Sequence, residues 1–229
     1  MNGAGFARMA VLAAWSAFFG WLIVSGEVYR YIGPRTRWVV LFGAVMLGLA
    51  AIAQAHALRA GSQATKPSAA EAWALAAFLA PLAVIVLVPR PSLGSEAAQR
   101  KSAGLVGAAS SFVPVAQPGG DVSFPEIKYA SESPRYAAAL GIVNGYEIQL
   151  TGFVTHTDDD QEGTFALTRF ATFCCAADAV PYSVTVNSAR GYPEDTWLKV
   201  AGVLMNQGGE FVLRAQRITE TEEPDNPYI

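Results

Sequence analysis

Residues 38–58 read WVVLFGAVMLGLAAIAQAHAL, twenty-one positions between Arg37 and Arg59 without an ionised side chain. An α-helix rises 1.5 Å per residue, so about 20 apolar residues cross a hydrocarbon core of about 30 Å. This stretch fits that span. Two more uncharged windows flank it, residues 9–26 between Arg8 and Glu27 and residues 72–89 between Glu71 and Arg90, each 18 residues long. Both lie near the short end of the usual range of roughly 17–25 residues. Three such windows in succession leave no polar face to meet water, which argues against buried helices of a soluble domain. A cleaved signal peptide is a second reading of the first window, but only Arg8 precedes it and its apolar run is longer than a signal core. The sequence therefore predicts a transmembrane region over residues 1–90, with three helices at about 9–26, 38–58 and 72–89. Trp38 and Trp73 fall where interfacial anchors belong. Pro81 predicts a kink in the third helix, its freed carbonyl bonded inside the bundle.

The charge distribution divides the chain in the same way. Overall, 52% of residues are hydrophobic and 15% charged, against about 25% charged in a typical soluble domain. Residues 1–90 hold seven Lys/Arg and two acids, whereas residues 144–229 hold five basic and thirteen acidic residues. So acidic a C-terminal half repels phosphate backbones, and no nucleic-acid partner is expected. With three crossings, residues 59–71 share a side with the N-terminus, and residues 27–37 share the other with the C-terminal domain. Six basic residues against three put that domain in the cytoplasm on a bare positive-inside count. Gly43, Ala44, Gly48, Ala50 and Ala51 would let another helix approach closely, either in a partner or within the three-helix unit. His56, beside Gln54 near a helix end, reads as an interfacial side chain reaching water rather than an intramembrane ligand.

Residues 91–120 are rich in Pro, Gly, Ser and Ala with no sustained period, which predicts an extended linker. A short helix is expected over 135–140, started by Ser133-Pro134. Beyond it the hydrophobic period becomes two. Strands are expected over 147–155, with Ile148, Leu150 and Val154 on one face, and over 165–170. A third follows over 182–187, with Tyr182, Val184 and Val186 aligned, then 197–205 and 210–218. Asn206-Gln207-Gly208-Gly209 supplies a hairpin turn. Five short strands over residues 121–229 predict a small all-β domain with an acidic tail, an OB-like five-stranded barrel. Gly152 and Gly202 fall inside strands, where barrels bend or backbones approach closely.

The most unusual local run is Arg169-Phe170-Ala171-Thr172-Phe173-Cys174-Cys175-Ala176-Ala177-Asp178-Ala179, between the second and third strands. Adjacent thiolates can hold a soft metal with help from other ligands, or form a strained vicinal disulfide. As small buried hydrophobes they would simply line the barrel. Arg169 and Asp178 bracket the segment and are expected to pair. Cys174, Cys175, Asp178 and His156 form the candidate metal set. Residues 156–162, His-Thr-Asp-Asp-Asp-Gln-Glu, make an acidic loop that lacks the spacing of a calcium-binding loop and reads as a solvated turn. No nucleophile elbow, phosphate-binding loop, HExxH or GxGxxG is present, and the chain has two histidines, so an enzyme is not expected. A tethered barrel that binds a peptide or small ligand is the other open reading.

Several of these runs resemble the YcgQ-like family, also called DUF1980. In the membrane half the resemblance rests on Tyr31-Ile32-Gly33-Pro34. In the barrel it rests on Leu150-Thr151-Gly152-Phe153-Val154, on Arg169-Phe170 with Cys174-Cys175-Ala176-Ala177-Asp178-Ala179-Val180-Pro181, and on Trp197-Leu198-Lys199-Val200-Ala201-Gly202. The tail Pro224-Asp225-Asn226-Pro227-Tyr228 is similar to the family's closing motif. The resemblance implies an accessory subunit in the lipid bilayer, paired with a multi-span membrane permease and active in transport. Many members carry a His-rich loop between the second and third spans, which implies handling of zinc or another transition metal. Residues 59–71 of this chain contain no histidine. In relatives that loop looks cytoplasmic. The resemblance thus places the barrel outside the cell, against the charge count, and the outside is favoured.

Overall fold

The computed structural model describes residues 3–60, 68–87, 93–104, 122–156 and 163–229. The expected linker over 105–120, the end of the third window and the acidic loop after His156 lie outside the described residues. The chain divides into two compact units, Met1–Pro91 and Ser92–Ile229.

The first unit is helical. Helices α1 (Gly3–Ser25) and α2 (Arg37–Arg59) are joined through two 3₁₀ turns, and α3 (Ala69–Leu87) follows. By length and composition α1 and α2 can each cross a membrane, whereas the apolar run of α3, Ala69–Ile85, is shorter. Val40, Ala44 and Ala51 are the buried residues of α2. The Ser16 hydroxyl donates to the Ala44 carbonyl at 2.8 Å, and a Cβ on Gly48 would lie 3.1 Å from the same hydroxyl. Part of the small-residue seam is thus used within the unit, where it lets α1 approach, while Gly43 faces open space and Ala50 is exposed. Two polar pins hold α3. Arg8 Nε donates to Glu71 Oε1 at 2.7 Å, and the Trp15 indole donates to the Phe78 carbonyl at 3.1 Å. Phe78 is the neighbour of Ala77, four residues before Pro81, which has no N–H to offer that carbonyl.

Little of this unit's apolar bulk faces inward. Of the eighteen exposed large hydrophobic side chains among the described residues, all but Val143 and Phe173 belong to it, with Trp38 66%, Phe42 58% and Phe78 65% exposed. No described residue of α3 is buried.

The second unit is a closed barrel of β1 (Tyr146–Thr155), β2 (Thr164–Ala171), β3 (Val180–Asn187), β4 (Trp197–Gln207) and β5 (Glu210–Glu220), in the order β1-β2-β3-β5-β4. All five expected strands are present. Antiparallel pairing runs around the barrel except for the parallel contact of β3 with β5 at Val186↔Leu213, which closes it. Leu150, Val154, Phe165, Leu167, Leu198 and Leu204 fill the interior. Gly208 and Gly209, at φ 64° and 101°, form the two-residue hairpin between β4 and β5, the geometry that right-twisted strands favour. Gly152 and Gly202 sit at close approaches, as expected. A Cβ on Gly152 would lie 2.6 Å from the Thr168 carbonyl oxygen and 3.0 Å from the Phe124 ring, and one on Gly202 would strike the Arg214 carbonyl where the β4–β5 register shifts.

Two helices seal the barrel. The helix α5 (Phe124–Glu132) buries Phe124 and Ile127 and starts at a capping box of Ser123 and Glu126. Then α6 (Pro134–Leu140) starts at Ser133, whose hydroxyl accepts from the Tyr136 amide at 3.3 Å. The sequence pattern identified α6 and missed α5.

The extended-linker reading fails over residues 95–104, which form helix α4 (Ser95–Gly104). The helix is fixed by tertiary contacts that composition does not reveal. Asp195, in the left-handed region at φ 61°, accepts from the Ser95 amide at 2.6 Å and its hydroxyl at 3.1 Å. It thereby satisfies donors that a helix start leaves free. Ala98 is buried in a second apolar cluster with Phe153, Phe170, Ala179 and Tyr228 on the outside of the barrel. That cluster explains why the in-out alternation of β1 ends at Gly152: beyond it both faces are covered.

Candidate functional site

Ala171 pairs with Val180, so residues 172–179 form the β2–β3 connection, with a 3₁₀ turn at Ala176–Asp178. The Asp178 carboxylate accepts from the amides of Phe173 at 2.9 Å, Cys174 at 2.8 Å and Cys175 at 3.2 Å. On the carbonyl side, Lys101 of α4 donates to Ala176 at 3.3 Å, Ala177 at 3.0 Å and Ala179 at 2.8 Å. A carboxylate thus gathers the loop's N–H groups and an ammonium gathers its C=O groups.

This clamp presents two thiols, Cys174 exposed and Cys175 half-buried. Cys174 Sγ lies 3.6 Å from Cys175 Sγ. Hydrogen bonding to Asp178, and then to Cys175, pushes the Cys174 thiol up to about 12. Burial alone would raise Asp178, but hydrogen bonds from the Cys174 thiol and from the three amides hold it below the ordinary carboxylate value. One ligand atom from each of Cys174, Cys175 and Asp178 lies within 4.8 Å of the others. Two sulfurs and one carboxylate form a donor set that suits a transition metal rather than calcium or magnesium.

His156 does not join this group. Its Nε2 lies 2.9 Å from the Tyr192 carbonyl, and its neighbour Thr155 pairs with Ala166 at the start of β2. The cysteine loop leaves the other end of β2, five residues or about 17 Å along the strand. Nor do Arg169 and Asp178 pair. The Arg169 guanidinium donates to the carbonyls of Thr151 at 3.2 Å, Asn226 at 2.6 Å and Pro227 at 3.3 Å, and lies over the Trp197 ring. Burial lowers its pKa from the ordinary value. Its position joins the tail to the barrel wall, where Tyr228 forms a bridge with buried Phe170. Ala177 contributes only its carbonyl to the Lys101 clamp.

The sequence reading missed Lys101, because it lies in the segment taken for a linker. Glu96 in the first turn of that segment and Lys101 in the last were the available helix signal.

Comparison with curated proteins finds no match. The family model for the DUF1980 N-terminal domain matches residues 7–104, and that for the DUF1980 C-terminal domain matches residues 128–229. The first match extends through α4 and includes Lys101, and the second contains the whole barrel and the cysteine loop. The chain belongs to the DUF1980 family.

Proposed function

We propose that this protein is a non-enzymatic, multi-pass subunit of the cell membrane that docks its helical unit on a multi-span permease. The observation that carries this reading is the outward disposition of the large apolar side chains in the helical unit. Exposing a side chain of this size to water costs about 1.5–3 kcal/mol relative to burying it, so lipid or a partner's helices must cover them. All three helices cross the bilayer, with α3 meeting the partner. That helix is held to α1 by two polar pins and buries none of its own described residues. The five-stranded barrel, of the OB type, lies outside the cell and caps or gates the partner's mouth.

Affinity purification of the tagged full-length chain from native membranes in mild detergent tests the assembly. A multi-span membrane protein should co-purify at fixed stoichiometry. Recovery of the chain alone counts against the subunit reading.

A further inference from the structure

The cysteine loop is held more firmly than joining two antiparallel strands requires. Asp178 takes three consecutive amides, and Lys101 reaches from a separate helix to three carbonyls. The double clamp fixes two thiols at the surface, 3.6 Å apart, with a carboxylate beside them.

We propose that Cys174, Cys175 and Asp178 form a surface site for a thiophilic d¹⁰ divalent cation of the zinc and cadmium class. The protein supplies three ligands and leaves the fourth position to water or a donor from another molecule. The site stands independently of whether the helical unit docks on a permease.

The spacing supports this assignment. In a tetrahedral centre with metal–sulfur bonds of about 2.3 Å, the two sulfurs lie about 3.8 Å apart. The pair is therefore set for chelation with almost no movement of either side chain. A carboxylate has about four acceptor positions, and the amides of residues 173–175 use three of those on Asp178. That leaves one acceptor position on Asp178 for a cation, within 4.8 Å of both sulfurs. Binding is an exchange: both thiols release a proton to solvent, each thiolate donates an electron pair to the cation, and no redox change occurs. Two sulfurs with one oxygen select a soft or borderline cation over calcium or magnesium. A structural zinc site is closed by four protein ligands, whereas three ligands at an exposed position suit a cation that arrives and leaves. Lys101 is a positioning residue, because it holds the turn that carries Asp178.

Cobalt(II) titration of the reduced full-length chain in detergent, without oxygen, provides the test. A thiolate-to-cobalt charge-transfer band should rise to one equivalent, and zinc(II) should bleach it. Cys174→Ser and Cys175→Ser should each weaken binding by at least tenfold, and Lys101→Met by about tenfold, as loss of an outer-shell partner does. His156→Ala should bind like the parent chain. Alkylating both thiols on the folded parent chain should abolish the band, which separates loss of ligands from loss of fold. The proposal is overturned if the parent chain gives no band or if the band survives alkylation.

Discussion

In the helical unit Phe42, Leu49 and Phe78 point outward, while Ser16, Ala44 and Gly48 make the contact between α1 and α2. In the barrel Phe165, Leu167 and Leu204 are buried, and Glu147, Lys199 and Glu210 stand outside. Under the proposed membrane placement, the two units turn their apolar bulk to opposite surfaces because they answer to different solvents. Water drives the barrel together by expelling apolar area. Lipid offers no such drive between helices, so the helical unit relies on close backbone approach and a few polar pins.

The sharpest way to break this contrast is to truncate one aromatic residue in each unit. Phe165→Ala should cost the barrel about 3–5 kcal/mol in chemical denaturation, since it removes a large side chain from a sealed interior. Phe42→Ala in the detergent-solubilised chain should change stability by less than about 1 kcal/mol, because lipid or detergent fills the space. Equal losses would show that the helical unit also has a water-driven core.

A charge probes the same contrast from the other side. Leu49→Lys, in the middle of α2, should cost about 3–4 kcal/mol of membrane insertion, measured as the fraction of chain integrated into microsomes. The reverse exchange on the barrel exterior, Lys199→Leu, should stay within about 0.5 kcal/mol in denaturation.

Arg169 tests whether a single cation can hold the barrel's tail as the polar pins hold α3. Arg169→Met should cost about 2 kcal/mol, because the carbonyls of Thr151, Asn226 and Pro227 lose a charged donor. It should also make the last residues accessible to carboxypeptidase. A resistant tail would mean that the Phe170–Tyr228 bridge suffices.

The smallest effects are expected at the cysteine loop. Cys174 should react with an aromatic disulfide reagent about 30-fold more slowly at neutral pH than an unperturbed thiol. Its raised pKa lowers the thiolate fraction more than it raises nucleophilicity. The rate should still be climbing as the pH rises past 9, and Asp178→Ala should remove the lag. Asp178 is shifted the other way. Its depressed pKa means that its contribution is present above the ordinary carboxylate range and is lost as pH falls through the depressed value. Asp178→Ala should therefore cost about 1 kcal/mol at pH 7 and nothing at low pH. A cost independent of pH would assign the effect to packing.

The five strands were legible because local rules decide them: period-two burial, and a Gly208-Gly209 turn that only positive φ can make. Helix α4 was not, because its signal is tertiary: Ala98 against Phe153 and Phe170, and a cap supplied by Asp195 a hundred residues away. At the site, the Cys174-Cys175-Asp178 cluster was readable because its members are near in sequence. His156 was misplaced because the strand between it and the loop runs the wrong way to join them. The Arg169–Asp178 pair failed because opposite charges near in sequence each found backbone partners first.

Alkaline carbonate extraction of membranes from cells expressing the full-length chain tests the central claim most directly. The account predicts that the chain stays in the high-speed pellet and is released only by detergent. Recovery in the carbonate supernatant would contradict it, because a folded chain with the apolar surface of α1, α2 and α3 turned outward has no place in water.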